Sequence, residues 1–192
     1  MRLIDRSEIL PLGEYEQIRP HFRARVIEEK KKRRVGIGEH MYAVFENHDS
    51  ALLQIQEMLR TERISAEPAV AHEIETYNDM VPADGQISMT LFVAIPERET
   101  RERVLVELAG LEHEVGLEVD GAFFPAVPKI GPGAIPERTT AVHYFKVTPS
   151  DAALAALRGR RAKAVLVVKH PRYAERVELS SATLAGLAED LG

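Results

Sequence analysis

The sequence contains no cysteine. That absence excludes a disulfide framework, a thiol nucleophile, cysteine-ligated zinc and an iron–sulfur cluster, so any metal would have to be held by His, Asp or Glu. No stretch approaches the run of about 20 apolar residues that a spanning helix needs, and the opening "MRLIDRSEIL" lacks the apolar core of a signal peptide. Neither membrane insertion nor secretion is expected, and the missing thiols fit a reducing cytoplasm. Catalytic signatures are missing too. There is no Gly-x-Ser-x-Gly elbow. The two glycines of "RVGIGEH" are not followed by the Lys-Ser/Thr of a phosphate loop, and "AHEIE" lacks the second histidine that a zinc-protease helix requires. The expectation leans away from an enzyme.

What is present suits a globular chain. With 192 residues, 45% of them hydrophobic, it can bury one sizeable core, or two small lobes sharing one. The net charge of -5 is unevenly spread. Residues 1–34 hold ten Lys and Arg against six Asp and Glu, which leaves the remainder strongly acidic. The basic part peaks at "EEKKKRR". Base-reading or stacking side chains do not accompany that cluster, so nucleic acid is not an expected partner. It reads instead as the solvated end of a helix, with Glu28 and Glu29 one turn before Lys32 and Arg33 and cations at the negative end of the helix dipole.

Periodicity divides the chain into a mostly helical part, 1–82, and a strand-rich part, 86–192, joined at the turn cluster Pro82-Ala83-Asp84-Gly85 and sharing one core. Two helices are expected over 12–19 and 20–32, the second opened by Pro20. A strand or hairpin follows around Gly36 and Gly38. Asn47, Asp49 and Ser50 offer caps to a helix over 51–63, whose apolar sector gathers Ala51, Leu52, Ile55, Met58 and Leu59. Another helix carries Val70, Ile74, Tyr77 and Val81.

In the second part, "QISMTLFVAI" alternates as a central strand covered on both faces, and Asp120-Gly121 marks a tight hairpin. A helix runs from Pro96 to Gly110, another follows Thr148 as its cap, and Ser180 or Ser181 caps the last; "AKAVLVVKHPRY" and 176–179 complete the strands. The fold class expected is α+β: a helical amino-terminal part, then a largely antiparallel sheet with helices on one face.

Three polar residues stand out against this apolar pattern. Placed at 100° intervals within the 51–63 helix, Glu62 falls in the apolar sector. A carboxylate buried there must be neutralised, paired or metal-bound; a frayed helix end, or pairing with an arginine such as Arg63, would remove the problem. His113 shares a strand phase with Val115, Leu117 and Val119, and His143 with Ala141, Phe145 and Val147. Two imidazoles and a carboxylate form the ligand set of many non-haem iron and zinc sites. His113, His143 and Glu62 are therefore the candidate metal ligands, with iron or zinc as the metal, against the alternative that each histidine is satisfied by a backbone carbonyl or an acid. No other cofactor is expected.

The phrases "ILPLGEYEQIRPHFRARVIEEKKKRRV", "FENHDSALLQIQEMLRTERI" and "TTAVHYFKV" resemble an uncharacterised bacterial family of similar length, a domain of unknown function. The resemblance covers the whole chain. Its members are often encoded beside a rubrerythrin-like di-iron protein and a heterodisulfide-reductase-like iron–sulfur protein, which implies an association with redox or peroxide defence. Two functions follow: a non-enzymatic accessory protein with such a redox partner, or a mononuclear metalloprotein built on His113, His143 and Glu62. A homo-oligomer is compatible with either.

Overall fold

Strand alternation resolves into one curled sheet in the computed structural model, which describes residues 1–129 and 135–192. Eight strands contribute: β1 (Arg34–Ile37), β2 (Met41–Glu46), β3 (Ile87–Val93), β4 (Val115–Val119), β5 (Ala122–Pro128), β6 (Val142–Val147), β7 (Ala164–His170) and β8 (Tyr173–Glu178). Their order is β1-β2-β3-β6-β5-β4-β7-β8, with every neighbour antiparallel. The two end strands lie against each other, so the sheet is nearly a barrel. Tyr173 fastens that seam. Its hydroxyl donates to the Ile37 carbonyl at 2.6 Å and accepts from the His40 N–H at 3.0 Å. Gly38 passes beneath the ring at φ 58, where an added Cβ would lie 2.5 Å from the hydroxyl.

The inward phase of each strand fills the barrel. Ile37, Phe45, Leu91, Leu117, Phe145 and Leu166 are all fully buried in one cluster, and each such side chain contributes about 1.5–3 kcal/mol through removal from water. Both members of Asp120-Gly121 take positive φ, 48 and 84, as the tight turn between β4 and β5 requires.

Among the described residues there are six α-helices: α1 (Leu12–Lys32), α2 (His48–Thr61), α3 (Glu67–Asn78), α4 (Arg98–Glu107), α5 (Asp151–Arg158) and α6 (Ser181–Leu191). The amino-terminal part is helical, as expected, but the helices do not share one face of the sheet. Helices α2 and α3 form a second cluster with Ile4 and Ile9 through Ile55, Leu59 and Val70. Leu105 of α4 and Leu111 beyond it, Leu154 and Leu157 of α5, and Leu187 and Leu191 of α6 instead join the barrel core. A barrel has ends as well as sides, and apolar helical faces cover more than one of these surfaces.

Helix α1 runs unbroken through Pro20, where two helices were expected. Contacts to α2 on both sides of the proline hold it: Tyr15 and Arg19 bind Glu57 at 2.7 and 2.8 Å, and Arg25 binds Asp49 at 2.5 Å. At its end, Glu28–Lys31 and Glu29–Lys32 pair on the surface, whereas Arg33 turns inward to Asp190 of α6 and is 4% exposed. Further differences concern element ends. Ser150 rather than Thr148 caps α5, Ser180 caps α6, and the last strand begins at Tyr173.

Candidate functional site

The site follows from a mismatch in strand length. β3 pairs along β6 from Val142 to Val147, but β5 meets β6 only where Ala126–Pro128 face Phe145–Val147. Among the described residues, the first half of β6 therefore has a strand neighbour on one side only, the Lys129 N–H making one further bond to the Tyr144 carbonyl at 2.8 Å. Beside it opens a cavity of about 840 Å³, bounded by α3, the end of β5, the segment before β6 and the 3-10 turn Leu111–His113. Its apolar wall comprises Met80, Pro128, Ile135, Pro136 and Val142, with the rings of Tyr77 and Tyr144.

At the polar end lies a chain of three side chains. Thr139 is 2% exposed, and its N–H is held by the Leu105 carbonyl at 2.9 Å. Its hydroxyl lies 3.0 Å from Glu112 Oε2 and 2.9 Å from His143 Nε2. His143 keeps the inward phase expected of it, alternating with buried Phe145 and Val147, and its ring stacks on Phe145. The β5–β6 pairing spans Phe145–Val147 and does not include His143, and this inward-phase residue also lines the cavity. Burial pushes its pKa down, against weaker upward pulls from the Glu112 charge and the Thr140 backbone, so the ring is neutral at pH 7. Burial pushes the Tyr144 phenol up, with help from Tyr77 and Glu46. The fixed cations of the cavity are already engaged: Lys129 with Asp79, and Arg138 with Glu102 at 2.6 Å.

The three sequence candidates separate. His143 and His113 line the same cavity. His113, however, belongs to the 3-10 turn rather than to β4; its side chain is 62% exposed and lies 3.9 Å from Glu112. Gly110, at φ 86, starts that turn and ends the alternation that had placed His113 on the apolar face. Glu62 is elsewhere. Helix α2 ends at Thr61, and Arg63 adopts φ 54 while the Ile64 N–H reaches back to the Leu59 carbonyl at 2.9 Å. This termination swings Ile64 toward the α2–α3 cluster and leaves Glu62 exposed. The buried face of α2 is also rotated, taking in Leu53 and Gln56 and leaving Leu52 and Met58 only half-buried. Among the described residues, no group of three or more His, Asp or Glu is placed to hold a metal ion.

The model of a family described as a protein of unknown function, DUF3501, matches residues 3–191. The chain belongs to this family. A crystal structure of a novel protein of unknown function from Burkholderia pseudomallei K96243 has the same fold, with a TM-score of 0.93 and 31% sequence identity over 100% of both chains. No curated protein matches.

Sequence reasoning missed Thr139, the centre of the polar chain, and the arrival of Tyr77 and Tyr144 at one cavity. No local signal marks Thr139, because its role depends on the segment before β6 folding back over Leu105. His170 shows the contrast. It is buried at the end of β7, with Nε2 3.2 Å from the Ala109 carbonyl and Nδ1 accepting from the Arg172 N–H. Both ring nitrogens are thus satisfied by backbone, and it does not line the cavity beside β6.

Proposed function

We propose that the protein binds a small, mainly apolar organic molecule in the cavity between α3 and β6, with that molecule's polar end at His143. The observation that supports this reading is the meeting of an apolar, aromatic wall with the buried Glu112–Thr139–His143 chain in one concavity of about 840 Å³. Small-molecule sites have this size and this combination of apolar surface with a few convergent polar groups. A role in binding without turnover agrees with the lack of any complete catalytic signature. Naphthol, titrated into isotopically labelled protein, is expected to shift the amide resonances of Thr139, His143 and Tyr144. Val142→Trp should fill the cavity and abolish those shifts at an unchanged melting temperature. Naphthol shifts confined to other regions, or none, would overturn the proposal.

An accessory role beside a rubrerythrin-like or iron–sulfur redox protein is a separate proposal that rests on the family resemblance. It requires co-elution of the purified proteins in gel filtration, and their independent elution removes it.

A further inference from the structure

We infer that Glu112, acting through Thr139, fixes the tautomer of His143 with its hydrogen on Nε2, and so makes the cavity select ligands that present a hydrogen-bond donor, an O–H or N–H on an apolar body. The selectivity rests on the binding role proposed above; the tautomer does not.

An ionised carboxylate only accepts, and a threonine hydroxyl has one hydrogen to give. Glu112 Oε2 and His143 Nε2 lie 3.0 and 2.9 Å from that hydroxyl oxygen, both at hydrogen-bond distance. If the hydroxyl donates to Glu112, the second contact is a bond only when Nε2 carries a hydrogen and donates to the oxygen. The polar atom that a neutral ring then retains is the bare Nδ1, an acceptor. The opposite tautomer would turn the threonine hydrogen toward Nε2. The lone pairs of Oε2 and of Thr139 Oγ1 would then face each other at 3.0 Å, in a site where Thr139 is almost wholly buried and an unsatisfied contact is most costly.

The surroundings bear on both forms. Glu112 favours a charged ring and the Thr140 carbonyl, which accepts a ring hydrogen, does so more weakly, but burial outweighs both and keeps the ring neutral; an Nδ1–H directed at Thr140 is the arrangement that competes with the Nε2–H form. His113 near Glu112 is exposed; Arg138 and Lys129 are paired with Glu102 and Asp79; from α3 come His72 and Tyr77, and from β6 itself Tyr144. Among the described residues, none of these hydrogen-bonds to Thr139 in competition with Glu112. His170 supplies an internal control, because backbone partners fix its tautomer independently: a carbonyl at Nε2 and an N–H at Nδ1.

A donor is therefore the group that the cavity can satisfy at His143. Naphthol and methoxynaphthalene share an aromatic body and differ in the O–H, so they separate donor recognition from apolar fit. Naphthol is expected to bind about tenfold more tightly, the usual worth of one good buried hydrogen bond. Glu112→Gln supplies an amide N–H to Thr139, frees the threonine hydrogen for Nε2 and permits the ring hydrogen on Nδ1. The preference should then fall to within about twofold.

Imidazole nitrogen-15 shifts of the full chain, recorded at about pH 8 so that the ring is neutral, read the tautomer directly and need no ligand. The expected result is a hydrogen on His143 Nε2 in the native protein and in Thr139→Ser, which keeps the hydroxyl. Movement toward Nδ1–H is expected in Glu112→Gln and in Thr139→Val, with His170 unchanged throughout. A native His143 protonated on Nδ1 overturns the inference even where naphthol binds. An Nε2–H form that persists in both Glu112→Gln and Thr139→Val overturns the role of Glu112. A correct tautomer with no binding of naphthol or methoxynaphthalene removes the cavity reading and the ligand selectivity with it, while the Glu112–Thr139–His143 relay stands. Should Glu112→Gln fail to fold, the Thr139→Ser and Thr139→Val pair reads the relay alone.

Discussion

The inner and outer sides of β6 show two ways in which a sequence makes structure. On the inner side, Phe145 and Val147 meet residues of the same strand phase from β3 and complete an apolar core. On the outer side, Val142 and Tyr144 meet α3 and the segment before β6, and what they complete is a cavity. One side is governed by alternation, which is local. The other depends on which distant segments arrive, and on β5 stopping at Pro128. His143 belongs to both, inward in phase and open to the cavity, so its surroundings combine burial with access.

Neighbouring residues of β6 differ most in what their loss should cost. Phe145→Ala removes a fully buried ring from the barrel and should destabilise the protein by about 3–5 kcal/mol in chemical denaturation. A loss below about 1 kcal/mol would mean that the barrel core can collapse around the gap, and that the inner side is less tightly specified than its burial suggests.

The outer shell has one contact of similar weight. Arg33 and Asp190 join the end of α1 to α6 and are nearly buried, with a second guanidinium contact at 3.1 Å. Burial pushes the Asp190 carboxyl up despite the arginine beside it. Arg33→Ala strands that carboxylate, and the expected loss is about 3 kcal/mol, since a buried charge without its partner is expensive. The double replacement Arg33→Met with Asp190→Leu should recover most of it. If the double variant is as unstable as the single one, the shell depends on the ion pair itself and not merely on avoiding an unpaired charge.

These differences explain what could be read from residues alone. The Asp120-Gly121 turn, the β3 strand and the phase of His143 are consequences of neighbours in sequence, and each was legible. For Glu62 the frayed helix end, not the apolar sector, was the right alternative, and His113 was misplaced because strand alternation was extended back into a turn. Arg63 at positive φ ends α2 just beyond Thr61, and Gly110 opens a 3-10 turn where strand alternation had been extrapolated. The continuity of α1 through Pro20 and the position of Thr139 depend on partners 38 and 27 residues away, Glu57 for Arg19 and Glu112 for Thr139. No local pattern encodes either.

A smaller effect is expected on the helical flank. The Arg19 guanidinium, with the Tyr15 hydroxyl, holds the Glu57 carboxyl down at about 2, against the opposing effect of burial. A carboxyl whose folded value lies below its ordinary 4.5 stabilises the fold fully above that ordinary value and loses the contribution as pH falls toward 2. Glu57 retains some exposure, so the amount is about 1–2 kcal/mol. Glu57→Gln should flatten the loss of stability across that acid window. A native and a Glu57→Gln protein with the same slope there would place the acid sensitivity on other carboxylates.

Tyr144→Ala should have the least effect on stability and the clearest effect on binding. The side chain is one residue from Phe145, but it lies on the cavity wall and is 38% exposed, so its removal opens space already continuous with solvent. A loss of about 1 kcal/mol or less is expected, far from that of its neighbour. Naphthol binding should weaken because an aromatic wall is gone. If Tyr144→Ala instead unfolds the protein as Phe145→Ala does, the outer side of β6 is structural core, and the distinction between the two sides of the strand fails.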